Sequence, residues 1–479
     1  MSATVATPRP TVLIVGAGLG GVMLGALLER ANIPYAIFER ASAVKPLGSA
    51  MSLAGQMMYL FRQLGIDEKF IALSKYSRFG NFRHEDGSPI PPADFIAMEE
   101  FGGCPSYIVA RPLLYDLLLS LIPPKKIHFS KRILTISEED DKVKIQAADN
   151  TVYEGDILVG ADGAYSAVRQ QLYNRLKKAG TLPKSDHEDL PFSCTCLVGQ
   201  TDPLDLEEYP ELKNPKEPFV TTFATGKPFT WTIFSTKQNT LCFMVLEHLS
   251  SKTSKAAQEQ RFRNMDNSEW GPHAAQAMCD ETRDYSISFG GGKKTLGDIY
   301  DKTPKERIVK VMLEEKVFKT WSSGRTVLLG DACHKVNPAS GVGAITAMHD
   351  AIALANLIYA LPANTSEEIT KTFKEYHAER YPPAMEAYNN SLLMSKLLKG
   401  GITGAIAWFL KNNMPNWLWR LAVRAVVNFE CVKGLVMNRL QAGFLKPVED
   451  KGTVPPNISP STEKARALYN KRMGVAAAV

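Results

Sequence analysis

Cysteine and histidine are scarce in this chain and do not form the spacings of common metal sites. The 479 residues contain seven cysteines and eight histidines, with no CxxC pair and no HExxH motif. An odd number of scattered cysteines is typical of reduced thiols inside the cell rather than of a secreted, disulfide-linked framework. The sequence therefore predicts an intracellular, cytoplasmic protein without a metal site.

Long apolar runs and basic clusters are also missing. An uncharged apolar run of about eighteen residues, which a membrane-spanning helix needs, does not occur. The first ten residues (MSATVATPRP) lack the apolar core of a secretory signal. The net charge is only +6, and lysine and arginine are scattered without interleaved aromatics, which argues against nucleic-acid binding. The apolar fraction of 45% supports a sizeable core and two or three domains.

The first informative motif follows a short strand near the N-terminus. The β-branched run 11–15 (TVLIV) is typical of a buried parallel strand and leads into Gly16, Gly18 and Gly21 and then into a helical pattern. A second apolar strand ends at Glu39. In the dinucleotide fingerprint the first glycine makes the tight turn, the second admits a pyrophosphate and the third lets helix pack on strand, while the acidic residue binds the ribose. These residues therefore predict a dinucleotide site.

A second motif occupies residues 324–350 (GRTVLLGDACHKVNPASGVGAITAMHD). An apolar strand ends at Gly330-Asp331, and a helix opens near Gly343 after a loop with proline and glycine. The helix start offers unpaired N–H groups and a partial positive charge, and Asp331 can accept hydrogen bonds from hydroxyl groups. This combination predicts a second polar ligand site.

The pair of motifs indicates which cofactor is bound. Glu39 would repel the 2′-phosphate of NADP and favours FAD or NAD, although Arg40 beside it offers a cation. A second fingerprint for a separate nicotinamide domain is absent, since Gly290–Gly292 precede two lysines and no clear helix. One long cofactor spanning both motifs explains them together, and FAD fits with its adenosine at Gly16 to Glu39 and its flavin at Asp331 to Ala344.

A third motif completes the set. A short strand, 156–159, leads to the run 160–169 (GADGAYSAVR), which contains Asp162, Ser166 and Arg169. With GxGxxG and GDACHxxxPxxGxG in this order, the chain resembles the FAD-dependent class A monooxygenases, the aromatic-hydroxylase family, and its fungal members in particular. The resemblance covers roughly residues 10–360.

The resemblance implies a role for each matching position. Glu39 holds the adenosine ribose, Arg111 lies near the pyrophosphate and Asp331 binds the ribityl chain. Ser52 and Ala344 match positions that touch the flavin through their backbone, and Gly343 opens the helix that faces it. Asp162 belongs to a motif linked with FAD and with transient NAD(P)H binding. The comparable stretch for a catalytic side chain reads Phe229-Thr230-Trp231, so no catalytic residue is assigned.

The resemblance and the strand patterns together predict an α/β fold. Residues 1–75, 107–190 and 306–365 form a discontinuous, Rossmann-like FAD-binding domain of the GR2 type. Residues 76–106 and 191–305 form an inserted β-sheet substrate domain, and 366–479 form a helical C-terminal region with an extended tail. The run Thr303-Pro-Lys-Glu306 looks like a capping box and predicts a helix that continues to about Lys319.

Two regions remain open to more than one interpretation. The aromatic residues Phe223, Phe229, Trp231, Phe234 and Phe243 belong either to an ordinary sheet core or to an apolar substrate pocket. The apolar stretch 400–430, with three tryptophans and little charge, is either a helical layer on the catalytic domain or a helix that binds peripherally to a membrane surface.

The predicted function follows from the resemblance. The chain is expected to use NAD(P)H and O₂ to hydroxylate or epoxidise an apolar or aromatic small molecule through a flavin C4a-hydroperoxide, in secondary metabolism. A flavin-dependent halogenase or reductase of the same fold is an alternative, although the halogenase motif Trp-x-Trp-x-Ile-Pro is absent. A non-enzymatic prenyl- or lipid-binding protein is another, and the presence of both Asp162 and Asp331 argues against it. The oligomeric state is left unassigned.

Overall fold

A largely parallel sheet forms the centre of the first layer. In the computed structural model its strands lie in the order β19 (Ser322–Ser323), β20 (Thr326–Leu328), β12 (Ile157–Gly160), β1 (Val12–Val15), β2 (Tyr35–Phe38) and β8 (Ile127–His128). Only the pairing of β19 with β20 is antiparallel among these strands. The structure describes 9–44, 49–94, 99–249, 272–337, 341–398, 415, 417–418, 440–449, 451–452 and 458–474, except 54, 101–102, 140, 188–189, 191, 215–217 and 225–226.

The register of three of these strands brings the three motifs together. Val15 lies beside Gly160, and Gly160 lies beside Leu328. Because β1, β12 and β20 run parallel, the residues that follow them leave the sheet at one edge. The glycine turn, the Asp162 turn and the Asp331 turn therefore share the carboxyl edge, where open α/β sheets bind their ligands.

Helices cover the parallel sheet and continue into the C-terminal region. The helices of the described residues are α1 (Leu19–Arg30), α2 (Gly55–Leu64), α3 (Asp67–Leu73), α4 (Arg111–Leu119), α5 (Ala167–Lys178), α6 (Pro272–Thr282), α7 (Leu296–Asp301), α8 (Gly343–Tyr359), α9 (Ser366–Leu398) and α10 (Pro460–Met473). Helix α8 packs against α1, α9 and α10. Its residues from Ile345 to Ile358 are all buried, which explains a sequence that is apolar except for a few polar residues.

A second sheet is built from the two segments predicted to form the substrate domain and from one strand that follows them. Its strands lie in the order β17 (Val309–Glu314), β13 (Phe192–Gln200), β16 (Leu241–His248), β15 (Phe229–Ser235), β14 (Phe219–Phe223), β5 (Phe79–His84) and β6 (Pro89–Asp94). Smaller sheets consist of β3 (Ala50–Leu53), β7 (Ser106–Ala110) and β4 (Lys75–Ser77), of β11 (Val152–Gly155), β10 (Lys142–Ala147) and β9 (Ile133–Glu139), and of β18 (Lys316–Val317) with β21 (His334–Lys335). The predicted α/β class with an inserted sheet is confirmed.

The two faces of the seven-stranded sheet differ. Phe229, Trp231 and Phe243 lie on the face that forms a buried core with helices α6 and α7. Phe223 and Phe234 alternate with them and lie on the opposite face, where both are only half buried. The interpretation as an ordinary core therefore holds for the first three residues, and the second two remain available to a ligand.

The prediction of a helix beginning at Thr303 is wrong. Lys305–Arg307 form a single 3₁₀ turn, and the chain then enters β17. The strand pairs with β13 along its length, and burial of Met312 and Leu313 against the second sheet outweighs the local helix signal. A capping box does occur nearby, between Thr295 and Asp298 at the start of α7. The second sheet thus extends beyond the predicted domain boundary at 305.

The C-terminal region is described in part. Helices α9 and α10 are present, while the stretch 400–430 lies outside the described residues apart from 415 and 417–418. In the described part of the chain, none of the helices combines the length and the apolar character that crossing a bilayer requires.

A buried charged cluster joins the Asp331 turn to two helices. Asp350 of α8 is fully buried and accepts hydrogen bonds from His334 Nε2 at 2.5 Å and from Arg380 Nε of α9 at 2.9 Å. It also accepts the backbone N–H of Gly330 at 3.2 Å. Burial alone would raise the pKa of Asp350, but His334 and Arg380 lower it below its ordinary value.

We expect Asp350→Asn to destabilise the protein by about 3–5 kcal/mol, because the buried Arg380 would lose its counter-charge. The free energy of unfolding in urea at neutral pH measures the effect. Because the folded-state pKa of Asp350 is depressed, the wild-type contribution is present above the ordinary carboxyl range and is lost as the pH falls through the folded-state value. Glu375→Gln is the control, since the Glu375–Lys464 pair is about one-third exposed and its loss should change stability little. Equal effects of the two substitutions would contradict the assignment.

Candidate functional site

The glycine turn after β1 has one closed side and one open side. Gly16 has φ +106°, and a Cβ there would overlap the carbonyl of Ala161. A Cβ on Gly21 would overlap the carbonyl oxygen of Gly16, which explains how tightly α1 packs on the strand. At Gly18, the N-cap of α1, a Cβ would meet no described atom within 4 Å. The open space lies at the helix N-terminus, where an anion is favoured.

Glu39 closes the adenosine end of the predicted site. Its carboxylate accepts the backbone N–H groups of Ala17 and Ala41, each at 2.9 Å. These bonds fix the side chain against the glycine turn. A carboxylate has further lone pairs, so it can still accept hydroxyl groups from a ribose. Arg40 lies exposed beside it.

Three charged side chains surround the other end of the site. Asp331 lies in the 3₁₀ turn after β20 and accepts a hydrogen bond from Lys335 Nζ at 2.5 Å. The two side chains are 35% and 22% exposed, respectively, so both keep an open side. Arg111 begins α4 and is close enough to interact electrostatically with Asp331 and Lys335. Burial would raise the pKa of Asp331, but Lys335 lowers it below its usual value and keeps the carboxylate ionised.

The Asp162 turn is organised mainly by its own helix. Asp162 accepts a hydrogen bond from the Ser166 hydroxyl at 2.5 Å and another from the Val168 N–H at 3.2 Å. Arg169 donates to the carbonyls of Ala332 at 2.8 Å and Ala164 at 2.6 Å. The buried guanidinium therefore ties this turn to the Asp331 turn, and a direct role of Asp162 toward a cofactor stays a prediction.

The remaining predicted residues lie on two elements. Ser52 is exposed on β3 and shares a hydrogen bond of 2.9 Å with Ser106 on β7. Gly343 and Ala344 open α8 and are half buried, preceded by Gly341 with φ +67°. The N–H groups of this first turn are not used within the helix and can face a ligand.

Sequence reasoning missed two charged residues near Asp331. Lys335 is four residues after Asp331, a spacing that suits an ion pair, but the loop gave no helical pattern to reveal it. Glu314 falls within the helix predicted from Thr303, whereas the structure brings it into electrostatic contact with both Lys335 and Asp331. The pairing of β18 with β21, which sets Lys316 beside Lys335, places the two segments together, and the hydrogen bond from Asn337 to Glu315 adds to it.

Cys333, His334 and Asp350 form a buried group of potential metal ligands in the described part of the chain. Asp350 already accepts hydrogen bonds from His334, Arg380 and the Gly330 N–H. A buried guanidinium next to the carboxylate disfavours a second cation. The group therefore functions as a structural link, and the predicted absence of a metal stays a prediction.

The geometry fits a long dinucleotide cofactor. The open Gly18 position suits a pyrophosphate, Glu39 lies at the end of the neighbouring strand, and the ionised, partly exposed Asp331 lies at the same sheet edge. The first turn of α8 follows on the flavin side. The residues present thus match what FAD requires at each end.

Comparison with known proteins agrees with this fit. The profile of the family described as "FAD binding domain" matches residues 9–287 and 293–391. The FAD-dependent monooxygenase nodM of Hypoxylon pulicicidum is 27% identical over 402 residues, which span 82% of this chain and 81% of that protein. The FAD-dependent monooxygenase paxM of Penicillium paxilli is 28% identical over 394 residues, covering 79% and 77%.

Solved structures share the fold. HpxO of Klebsiella pneumoniae, in complex with FAD and uric acid, superposes with a TM-score of 0.65 at 18% identity, over 89% of this chain and 97% of that one. The tetracycline destructase Tet(51) gives a TM-score of 0.63 at 16% identity, over 84% and 95%.

We expect Gly18→Ala and Gly21→Ala to separate binding from stability. Gly18→Ala should leave the unfolding free energy unchanged, because the new methyl group meets no described protein atom. It should weaken FAD binding by about tenfold, or ~1.4 kcal/mol, because the methyl group fills the open space in which the pyrophosphate is expected. Gly21→Ala should lower the unfolding free energy by about 1–3 kcal/mol through overpacking. Urea unfolding of the apoprotein and FAD titration measure the two quantities. Unaltered FAD affinity in Gly18→Ala would contradict the prediction that the pyrophosphate binds at Gly18.

Proposed function

The chain belongs to the FAD binding domain family, and from this premise we propose that it is a monooxygenase that uses NAD(P)H and O₂ to hydroxylate or epoxidise an apolar or aromatic small molecule. FAD is the cofactor of the family, and the protein is an FAD-dependent oxidoreductase. The named relatives nodM and paxM are FAD-dependent monooxygenases, which supports the proposed reaction class.

One observation carries the proposal: two segments at the predicted flavin end of the FAD site, the loop after Asp331 and strand β3, meet the half-buried apolar face of the second sheet. The loop after Asp331 contacts the second sheet, because Asn337 donates a hydrogen bond to Glu315 at 2.6 Å. At another point of the sheet, the Cys242 thiol lies next to the backbone of Ala50 on β3, two residues from Ser52. A substrate held on this face would lie close to the flavin end of the cofactor.

Bound FAD supplies the redox chemistry, accepting a hydride from NAD(P)H and activating O₂ for transfer of one oxygen atom. The chain supplies binding and orientation. The Gly18 turn and the α1 N-terminus hold the pyrophosphate, Glu39 holds the ribose and Asp331 holds the ribityl chain. The first turn of α8 offers N–H groups and the positive end of the helix dipole to negative charge on the flavin, worth roughly 0.3–2 kcal/mol.

The substrate face combines apolar surface with a few polar groups. Phe234 lies opposite Phe219, with ring centroids 5.7 Å apart, and is half buried. Hydroxyl groups of Thr221 and Thr232 share a hydrogen bond of 2.8 Å on the same face, and Thr230 bonds His248 at 3.2 Å. A mainly apolar molecule that carries a few oxygen atoms matches this surface.

The location and the C-terminal stretch complete the proposal. The six cysteines in the described residues are buried and form no disulfide, which supports a reducing, intracellular location. Peripheral membrane contact through 400–430 stays a proposal.

The decisive test is the visible spectrum of the purified protein, before and after anaerobic NADPH, with candidate aromatic and isoprenoid compounds. We expect a flavin spectrum that bleaches faster with the right compound, and a product that has gained one oxygen atom after O₂ is admitted. A product that carries chlorine, or one with a saturated double bond and no added oxygen, would favour a halogenase or a reductase. A protein that cannot be reconstituted with FAD would contradict the redox function altogether.

Asp331→Ala should raise the FAD dissociation constant about ten- to a hundredfold, because a hydrogen bond to a charged group contributes about 1.5–3 kcal/mol. Fluorescence titration of the apoprotein with FAD measures the change. Asp86→Ala is the control, because Asp86 is an exposed carboxylate in the turn between β5 and β6. This variant should bind FAD as the wild type does. Full flavin content in Asp331→Ala would contradict the proposal that Asp331 binds the ribityl chain.

Phe234→Ala should raise KM for the identified substrate by roughly tenfold, because it removes apolar surface from the substrate face. Phe243→Ala alters the opposite, fully buried face and should lower the unfolding free energy by about 3–5 kcal/mol instead. Steady-state kinetics and urea unfolding distinguish the two effects. An unchanged KM in Phe234→Ala would mean that the substrate binds elsewhere.

A further inference from the structure

Glu314 is a buried carboxyl group that the proposed reaction does not use. It is the last residue of β17 and its exposed fraction is 0%. Neither of its carboxylate oxygens has a hydrogen-bond partner among the described residues. Its neighbour Glu315 is also buried but accepts a hydrogen bond from Asn337. An ionised carboxylate without hydrogen bonds is costly inside a protein, so Glu314 is a proton-holding group.

The charges that face Glu314 belong to the predicted ribityl end of the FAD site. Lys335 on β21 and Asp331 in the preceding turn both interact electrostatically with the Glu314 carboxyl. Lys335 donates to Asp331 at 2.5 Å and is itself close to Arg111. The pairing of Lys316 with Lys335 holds the two segments side by side. Glu314 thus lies behind the Asp331–Lys335 pair, away from solvent.

The protonation of Glu314 changes the net charge of this group. Burial raises the pKa of Glu314 to about 7, although Lys335 partly opposes the shift. With Glu314 protonated, Arg111, Lys335 and Asp331 leave one net positive charge. With Glu314 ionised, the four side chains sum to zero. The charge presented to a ligand therefore changes near neutral pH.

We propose that Glu314 is a positioning residue for FAD, which holds a proton while the cofactor is bound and weakens FAD binding when it loses that proton. The inference rests on the proposed function, because it takes Asp331 as the residue that meets the ribityl chain. FAD carries an anionic pyrophosphate and further buries the Asp331–Lys335 pair. Both effects favour the neutral carboxyl in the complex, so FAD binding takes up protons.

The direction of the pH dependence follows from this linkage. A carboxyl whose pKa rises on binding strengthens FAD binding below the pKa of the free protein. That added affinity is lost as the pH rises through about 7 toward the higher pKa of the complex. A shift of half a unit to one unit corresponds to roughly a three- to tenfold change in FAD affinity.

The experiment titrates FAD into the full-length apoprotein by calorimetry between pH 6 and pH 8.5. Each pH is measured in two buffers that differ in ionisation enthalpy, so that the protons taken up are counted. We expect the wild-type dissociation constant to rise about three- to tenfold over this range. A fraction of one proton should be taken up per FAD near pH 7.

Glu314→Gln is the test variant, because it is isosteric and mimics the protonated carboxyl. It should bind FAD with the low-pH affinity throughout and take up no proton near pH 7. Glu315→Gln is the matched control, an adjacent buried carboxyl that faces Asn337, and it should keep the wild-type pH dependence. Infrared difference spectra of the FAD complex give a second readout. The band of a protonated carboxyl should be present in the wild type and absent in Glu314→Gln.

The outcomes separate this inference from the proposed function. FAD binding that is independent of pH in the wild type, without proton uptake, overturns the inference alone. So does an unchanged pH dependence in Glu314→Gln. The wild-type measurement by itself can overturn the inference, even if Glu314→Gln does not fold. A protein that binds no FAD at any pH overturns the proposed function and the inference together.

Discussion

Parallel hydrogen bonding among β1, β12 and β20 is the constraint on which the site depends. The pairing of Val15 with Gly160, and of Gly160 with Leu328, sends the three following turns out of the sheet at the same edge. Segments far apart in the chain thereby lie side by side at this edge. Arg169 reinforces the arrangement, because its buried guanidinium links the Asp162 turn to the carbonyl of Ala332. Displacement of any one strand would separate the two ends of the cofactor site.

Charge is distributed unevenly across the cleft. The end predicted to bind the adenosine offers backbone N–H groups at the start of α1 and the carboxylate of Glu39. The flavin end gathers Arg111, Asp331 and Lys335, with Glu314 behind them. The turn that carries Asp331 is itself held by a buried carboxylate. Asp350 accepts hydrogen bonds from the N–H of Gly330 and from the side chains of His334 and Arg380. One short segment therefore carries both the proposed cofactor contact and a buried structural contact.

Sequence patterns succeeded where the motif is local and failed where partners are distant. Gly16 has the positive φ predicted for the tight turn and Gly21 the close contact predicted for packing of helix on strand, because glycine spacing alone indicates both roles. The role of Gly18 toward a pyrophosphate stays a prediction. The capping-box pattern at Thr303 failed, because β17 gains more from pairing with β13 than a helix would gain from its cap. The roles of Phe223 and Phe234 could not be separated from those of Phe229 and Trp231 until the strand register fixed their faces.

The sequence by itself determined the α/β class and the FAD-binding fingerprint. Those features rest on backbone conformation and on periodic burial, which neighbouring residues specify. Only the tertiary structure decided that Lys335 pairs with Asp331, that Glu314 faces both, and that the apolar face of the second sheet meets the same loop. The Lys335–Asp331 pair spans only four residues, but it lies in a loop without a helical pattern to reveal it. The other contacts join segments farther apart in sequence, and their formation depends on the register of whole sheets rather than on any local pattern.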